Sequence, residues 1–247
     1  GQTNIGGYAS QRRKRFGFSV LALYNYQKNF DVDDDDFSEL PLATSISIHP
    51  RLYFYPNERF TVSVGNSYTA SNNKGGDMKV IDGKPDSVHR YFEKNETLRN
   101  TTTLELKYVI DSNRTVDFKQ SVSVFNRDIN LPDYLFSGKN SNSFTELSFR
   151  SVKGKHTINT GLNIIYDRFR QSAISNDLRL NSTTTTIGAY GQHTWDVSDK
   201  LIIESGLRID KVKYQFIGYG DEEWFLLPRI SMLYKFNPSF TARLTGG

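Results

Sequence analysis

The chain has 247 residues, 37% of them hydrophobic and 13% aromatic, with no cysteine and a formal net charge of +4. These values exclude disulfide and thiolate chemistry, and the charge is too weak and too dispersed for a nucleic-acid footprint. No window approaches the ~20 apolar residues of a membrane helix, and no charged stretch followed by an apolar run marks a signal peptide. A mean hydropathy of −0.54 beside so many aromatics fits a transmembrane barrel, in which only alternate strand residues meet lipid.

In chain order the pattern predicts about twelve β-segments, at 3–12, 15–27, 43–55, 59–68, 98–110, 115–126, 143–151, 156–168, 184–196, 200–212, 224–236 and 239–246. Most supply the ~9–11 tilted residues that cross a bilayer. Successive strand side chains point to opposite faces, and the segments obey this. In the second, Phe16, Phe18, Val20, Ala22, Tyr24 and Tyr26 lie together. In the third, Ile46, Ile48, Pro50, Leu52 and Phe54 oppose Ser45, Ser47, His49, Arg51 and Tyr53. Leu201, Ile203, Leu207 and Ile209 oppose Glu204, Arg208 and Asp210; Pro228, Ile230, Met232, Tyr234 and Phe236 oppose Arg229, Ser231 and Lys235. Segment 184–196 is ambiguous, with Ile187, Ala189 and Trp195 in one phase and Tyr190 in the other. Aromatics near segment ends (Tyr24, Tyr26, Phe54, Tyr55, Tyr166, Phe169, Trp195, Phe236) suit interfacial girdles.

Short connections are expected at Arg13-Lys14, Pro56–Glu58, Asp111–Arg114, Val152–Lys155, Val197–Asp199 and Asn237-Pro238, all rich in turn residues or charges. Longer polar ones are expected at 28–42, 69–97, 127–142, 169–183 and 213–223. Such alternation is what short periplasmic turns and long external loops produce. A soluble half-buried sheet would share the residue alternation but has no reason to keep the loop asymmetry.

The ordered combination Ile187-Gly188-Ala189-Tyr190-Gly191-Gln192, Trp195, Leu201–Asp210, Leu227-Pro228-Arg229-Ile230-Ser231, Tyr234-Lys235-Phe236 and Thr241–Leu244 resembles the mid-barrel of TonB-dependent outer-membrane receptors. Upstream, Pro50-Arg51-Leu52, Gly75–Met78 and Leu131–Tyr134 resemble the siderophore-receptor-like branch. The resemblance implies an all-β, antiparallel transmembrane β-barrel in the bacterial outer membrane: about twelve strands of a presumed 22-strand barrel, in one partial domain over residues 1–247. The family's plug domain and TonB-binding box are absent from this sequence, which ends at Gly246-Gly247. The implied function is import of a scarce nutrient, foremost an iron–siderophore complex. Outer-membrane lipid, the ligand, and the TonB complex acting through the plug would be its partners, and it would not be an enzyme. The alternatives are a soluble or surface-exposed β-sheet binding or adhesion module and a passive porin-like barrel.

Two candidate sites stand out. In Asp31-Val32-Asp33-Asp34-Asp35-Asp36-Phe37-Ser38-Glu39, carboxylates of Asp31, Asp33, Asp35 and Glu39 take alternate positions, as the hard oxygen ligands of calcium do. Asp36 falls where such loops carry glycine, a conformation Asp adopts more readily than most residues, and Leu42 stands where the bidentate Glu would be. A solvated acidic loop is the plain alternative, and no cofactor is required by the reading. In the 69–97 connection, His89, Arg90, Tyr91 and Phe92 are the candidate ligand-binding residues: cations suit an anionic complex and rings a flat ligand. Lumen charges (Arg51, Lys107, Asp117, Lys119, Arg208, Asp210, Arg229, Lys235, Arg243) are expected mostly to pair across strands. The four histidines lack metal-ligand spacing, and no P-loop, G-x-S-x-G or dinucleotide fingerprint occurs.

Overall fold

A computed structural model describes residues 1–174 and 180–247. Twelve strands follow one another in a single antiparallel sheet, each hydrogen-bonded only to its neighbours in sequence. They are β1 (Gln2–Arg13), β2 (Phe16–Gln27), β3 (Phe37–Asn57), β4 (Phe60–Asp77), β5 (Phe92–Asp111), β6 (Arg114–Leu131), β7 (Tyr134–Lys153), β8 (His156–Ile174), β9 (Ser182–Asp196), β10 (Leu201–Phe216), β11 (Tyr219–Asn237) and β12 (Phe240–Gly246). One four-residue helix, α1 (Met78–Ile81), follows β4. Each short turn falls within two residues of its expected position. At Asp111–Arg114, for example, Asp111 accepts from the Asn113 amide (2.9 Å) and from Arg114 Nε (2.8 Å).

The strands are longer than the sequence pattern indicates, and two expected long loops do not exist. Segment 127–142 is a tight hairpin in which Leu131 pairs with Tyr134. Segment 213–223 is another, with Phe216 paired to Tyr219 around Ile217 and Gly218 at φ 45° and 79°. Hydrophobic alternation stops where a strand leaves hydrocarbon, but the backbone ladder continues into water because its hydrogen bonds do not depend on side-chain polarity. The expected 28–42 and 69–97 loops shrink for the same reason to 28–36 and 78–91. The centre of the 169–183 connection, residues 175–179, lies outside the described residues.

The two faces differ as a membrane wall requires. Following the register from Ser47 to Thr69, Thr69 to Arg99 and Arg99 to Phe125, one face carries mainly Ser, Thr, Asn and charges. The other carries the apolar series, with Leu52 63%, Leu162 62%, Leu226 63% and Ile230 61% exposed. Among the described residues no hydrophobic side chain is buried, while Ser63, Ser123, Asn163, Asp210 and Ser231 are. This is the reverse of a water-soluble domain, which buries apolar surface first. The phase of β9 is settled by its pairing: Tyr190 faces Arg208 and Gly161 on the polar side, so Ile187, Ala189 and Trp195 point outward.

At the short-turn end, Phe16 stacks on Phe54 (4.9 Å) and Phe60 meets Tyr108 (6.4 Å). Trp195 lies against His156 (5.9 Å). Of the expected girdle residues Phe54 and Trp195 lie here on the outward face, joined by Phe16, Phe60 and Tyr108, whereas Tyr55 and Phe169 do not face outward. Arg12 covers the Tyr55 ring at 4.0 Å, and Phe169 pairs with Asn140 on the polar face. Substituting Ile48→Arg, six residues from the girdle Phe54 on the outward face, in the complete protein should lower stability in lipid vesicles by about 2–4 kcal/mol, clearly more than Ser47→Arg on the polar face. Urea unfolding followed by tryptophan fluorescence measures both.

Candidate functional site

The acidic loop between β2 and β3 is closed by reciprocal backbone hydrogen bonds between Phe30 and Leu40 (3.0 and 3.1 Å). Inside it, Asp31 accepts from the amides of Asp35 (3.3 Å) and Asp36 (2.9 Å), and Asp35 from that of Phe37 (2.8 Å). Glu39 accepts from Val32 N at 2.7 Å. Asp34 and Asp36 take positive φ (59° and 65°), so Asp36 adopts the left-handed conformation expected at the glycine position. This folding brings one oxygen each of Asp31, Asp33, Asp35 and Glu39 within 4.8 Å of one another. Like charges so close oppose ionisation. The Asp33 carboxyl is accordingly raised above its ordinary value, chiefly by Asp35, then by desolvation and Glu39.

In the 78–91 connection the organising residue is Asp86, which the sequence reading did not single out. It accepts from the amides of Val88 (2.9 Å) and His89 (2.8 Å), from Lys79 Nζ (2.9 Å), and contacts His89 Nδ1 (3.0 Å). These donors, led by the His89 amide and Lys79, hold its carboxyl far below the usual carboxylate range. His89 is thereby drawn into the loop's own scaffold. Arg90 is exposed, Tyr91 is 43% exposed, and Phe92 is half-buried where β5 begins.

The two candidate sites, separate in sequence, are one assembly. Met78 N donates to Asp36 O (2.8 Å), and Asn29 Nδ2 reaches Met78 Sδ at 3.3 Å. Gly76 N donates to the buried Ser38 hydroxyl (3.0 Å). Phe37 stacks on Tyr91 with ring centroids 5.8 Å apart. The joint requires Gly76: its φ is +115°, and a Cβ there would sit 2.5 Å from Tyr91 O. The Asp86-Ser87-Val88-His89 spacing, an Asx-type turn, was the sequence signal for the scaffold; nothing local signalled the joint.

Below the loops, the polar wall is tied by cross-strand hydroxyl and amide pairs. Ser47 and Thr69 meet at 3.1 Å, Ser71 and Thr97 at 2.8 Å, and Thr101 donates to Ser123 at 2.8 Å. Of the expected lumen charges, Arg51 pairs with Glu105 (3.5 Å), Lys119 with Glu146 (3.7 Å) and Arg208 with Asp210 (2.8 Å). Lys107 and Asp117 face each other in the register. Arg208 also reaches Asn163 Oδ1 (3.0 Å) across Gly188, where any Cβ would collide with all three side chains.

A family model described as "TonB dependent receptor-like, beta-barrel" matches residues 3–246. A search of the curated proteins finds no match. The fold is similar to FpvA of Pseudomonas aeruginosa, solved bound to a ferric pyoverdine (TM-score 0.79, 12% identity, 96% of this chain and 39% of that one). It is also similar to the ferric-catecholate import receptor Fiu of Escherichia coli K12 (0.74, 10%, 96% and 48%) and the ferric yersiniabactin uptake receptor FyuA of Yersinia pestis (0.68, 14%, 96% and 42%). The chain thus spans less than half the length of these structures.

Asp86 contributes through a depressed pKa, so its contribution is complete above the unfolded carboxylate value of 3.8 and is lost only as pH falls below it. The wild-type 78–91 loop should therefore keep its Asp86 contacts and resist surface proteolysis at both pH 5 and pH 7.5. Asp86→Ala should be cleaved there several-fold faster at both, as mass spectrometry of the fragments would record.

Proposed function

The chain belongs to the TonB-dependent receptor-like β-barrel family, and from that premise we propose that it forms wall and capture loops of an outer-membrane importer. The cargo is an iron–siderophore complex, drawn through a plugged barrel with energy from the TonB complex; no chemical conversion is involved. The observation that carries this reading is the joined loop assembly, which presents Arg90 and Tyr91 above a hydroxyl- and amide-lined wall. A cation and an aromatic ring on a braced loop suit an anionic, partly flat metal chelate. The likeness to structures described as ferric-siderophore receptors supports the same cargo class.

Calcium at Asp31, Asp33, Asp35 and Glu39 belongs to the proposal. The four clustered carboxylates repel one another, and a divalent cation converts that repulsion into attraction. Because Asp36 bonds to Met78 and Phe37 stacks on Tyr91, a cation there braces the capture loop as well.

Ferric siderophores of the pyoverdine, catecholate and yersiniabactin types should be tested against cobalamin by thermal unfolding of the complete protein in detergent. One of them at a hundredfold excess over its dissociation constant should stabilise by about 2.7 kcal/mol, and Arg90→Ala with Tyr91→Ala should remove most of that. Stabilisation by cobalamin alone, or by none, would sink the cargo assignment. For calcium, terbium luminescence sensitised by nearby rings should saturate and be competed by calcium. Asp33→Asn should weaken binding about tenfold or more, in line with the dependence of such sites on ligand charge. Since the Asp33 pKa is raised, affinity should begin to fall with acidification above the ordinary carboxylate range.

A further inference from the structure

The outward face is not uniformly apolar. On β2, β3 and β11 every outward position within the apolar series is aliphatic, aromatic or proline, from Phe16 to Tyr26, Ile46 to Phe54 and Trp224 to Phe236. On β4 to β7 the same face carries Asn66, Asn100, Thr102, Gln120, Ser143 and Thr145. Their orientation follows from the register, in which Asn66 pairs with Thr102, Thr102 with Val122 and Val122 with Ser143. Gln120 pairs with Thr145 in the adjacent row.

These residues stand at hydrocarbon depth. Counting from the short-turn end, Asn66 lies six residues beyond Phe60, Gln120 six beyond Arg114, Thr145 eight before Lys153, and Asn100 eleven before Asp111. A strand crosses the bilayer in ~9–11 residues, so this polar strip occupies the span that lipid chains would cover. Partial pairing exists within the sheet. Asn66 Nδ2 donates to Asn100 Oδ1 (3.1 Å) and Thr102 Oγ1 (2.9 Å), Asn100 Nδ2 to Asn66 Oδ1 (3.3 Å), and Gln120 Nε2 to Ser121 O (3.3 Å). Thr145 donates to Gln120 Oε1. Each side-chain amide has two N–H donors, so Asn100 and Gln120 each retain one beyond these bonds. Lipid chains offer such donors nothing, and polar groups at this depth face protein or water far more often than lipid.

Above the strip the outward face sinks into a depression of about 710 Å³ floored by Leu42, Ile46 and Leu98. Its rim bears Lys74, Lys94, Glu96 and Asp128, two charges of each sign; within the chain Lys94 pairs with Glu96 at 2.8 Å and Lys74 Nζ donates to Val80 O at 2.9 Å, exposed links that a facing copy can exchange. Amides and hydroxyls both donate and accept, and a rim of balanced charge can meet its own rotated copy with Lys against Glu or Asp. That is self-complementarity, the property a two-fold interface requires. Four strands at ~4.8 Å spacing and about ten residues of length give a footprint on the order of 600 Å², comparable with the ~800 Å² per partner of a standard interface.

We propose that the outward face of β4–β7 is a membrane-embedded docking surface for a second copy of this chain. The inference rests on the transmembrane reading of the sheet and is independent of the cargo.

Cysteine cross-linking in native outer membranes tests it, because this chain contributes no cysteine of its own. In the complete protein, Thr102→Cys or Ser143→Cys treated with a short bismaleimide should yield a covalent dimer, at least about tenfold more than Leu52→Cys on the β3 face yields, as an isologous contact demands. Asn66→Leu with Asn100→Leu in the Thr102→Cys background should cut that yield about fivefold or more while the protein keeps its heat-resistant electrophoretic mobility. That second readout separates lost docking from lost folding. Absence of a dimer from both cysteine positions, an equal yield from Leu52→Cys, or cross-linking only to a different polypeptide would overturn the proposal.

Discussion

The constraint on which everything else depends is that hydrocarbon offers no hydrogen-bond partner to a peptide group. A chain inside it must satisfy its N–H and C=O groups within the protein, as each of β2 to β11 does by lying between two other strands. That is why twelve strands pair in strict sequence order and why their connections reduce to tight turns at one end. The same constraint dictates the side chains. The face toward lipid is free to be greasy without packing against anything, and the face toward the lumen must satisfy itself. Hence the inverted burial, in which Ser231 and Asn163 are hidden while Leu52 and Ile230 are bare.

The polar wall meets its own requirement by many weak links rather than a few strong ones. Hydroxyl pairs such as Ser71 with Thr97 alternate with ion pairs such as Arg51 with Glu105. A wall tied in this way keeps its polar groups occupied, and each link is individually weak. Other contacts gather at the loops, where Asp86 accepts from two amides and Lys79 and touches His89 Nδ1, and Ser38, Asn29 and Phe37 join one loop to the other.

Much of this was legible in the residues. Period-two alternation located all twelve strands and the outward faces of β2, β3, β10 and β11, because the lipid boundary imprints that pattern on the sequence directly; the phase of β9 came only from its pairing. The six short turns were legible from Pro, Asn, Gly and charged residues, and the left-handed Asp36 from its place in the acidic repeat. Strand ends at the long-loop side were not legible. Phe37–Leu42, Arg127–Leu131 and Lys213–Phe216 continue their ladders in water, where no solvent boundary marks one face from the other and side-chain pattern carries no signal.

The sequence by itself therefore determined the class of fold, the orientation of each strand and the presence of two chemically distinct loops, since each is written in neighbouring residues. Only the tertiary structure decided that the two loops form one assembly, that His89 belongs to its scaffold, and that the wall has a polar outward sector on β4–β7. Those facts depend on which residue of one strand stands opposite which residue of the next. Register is a property of the paired chain, fixed by hydrogen bonds between segments far apart in sequence, and no single segment contains it.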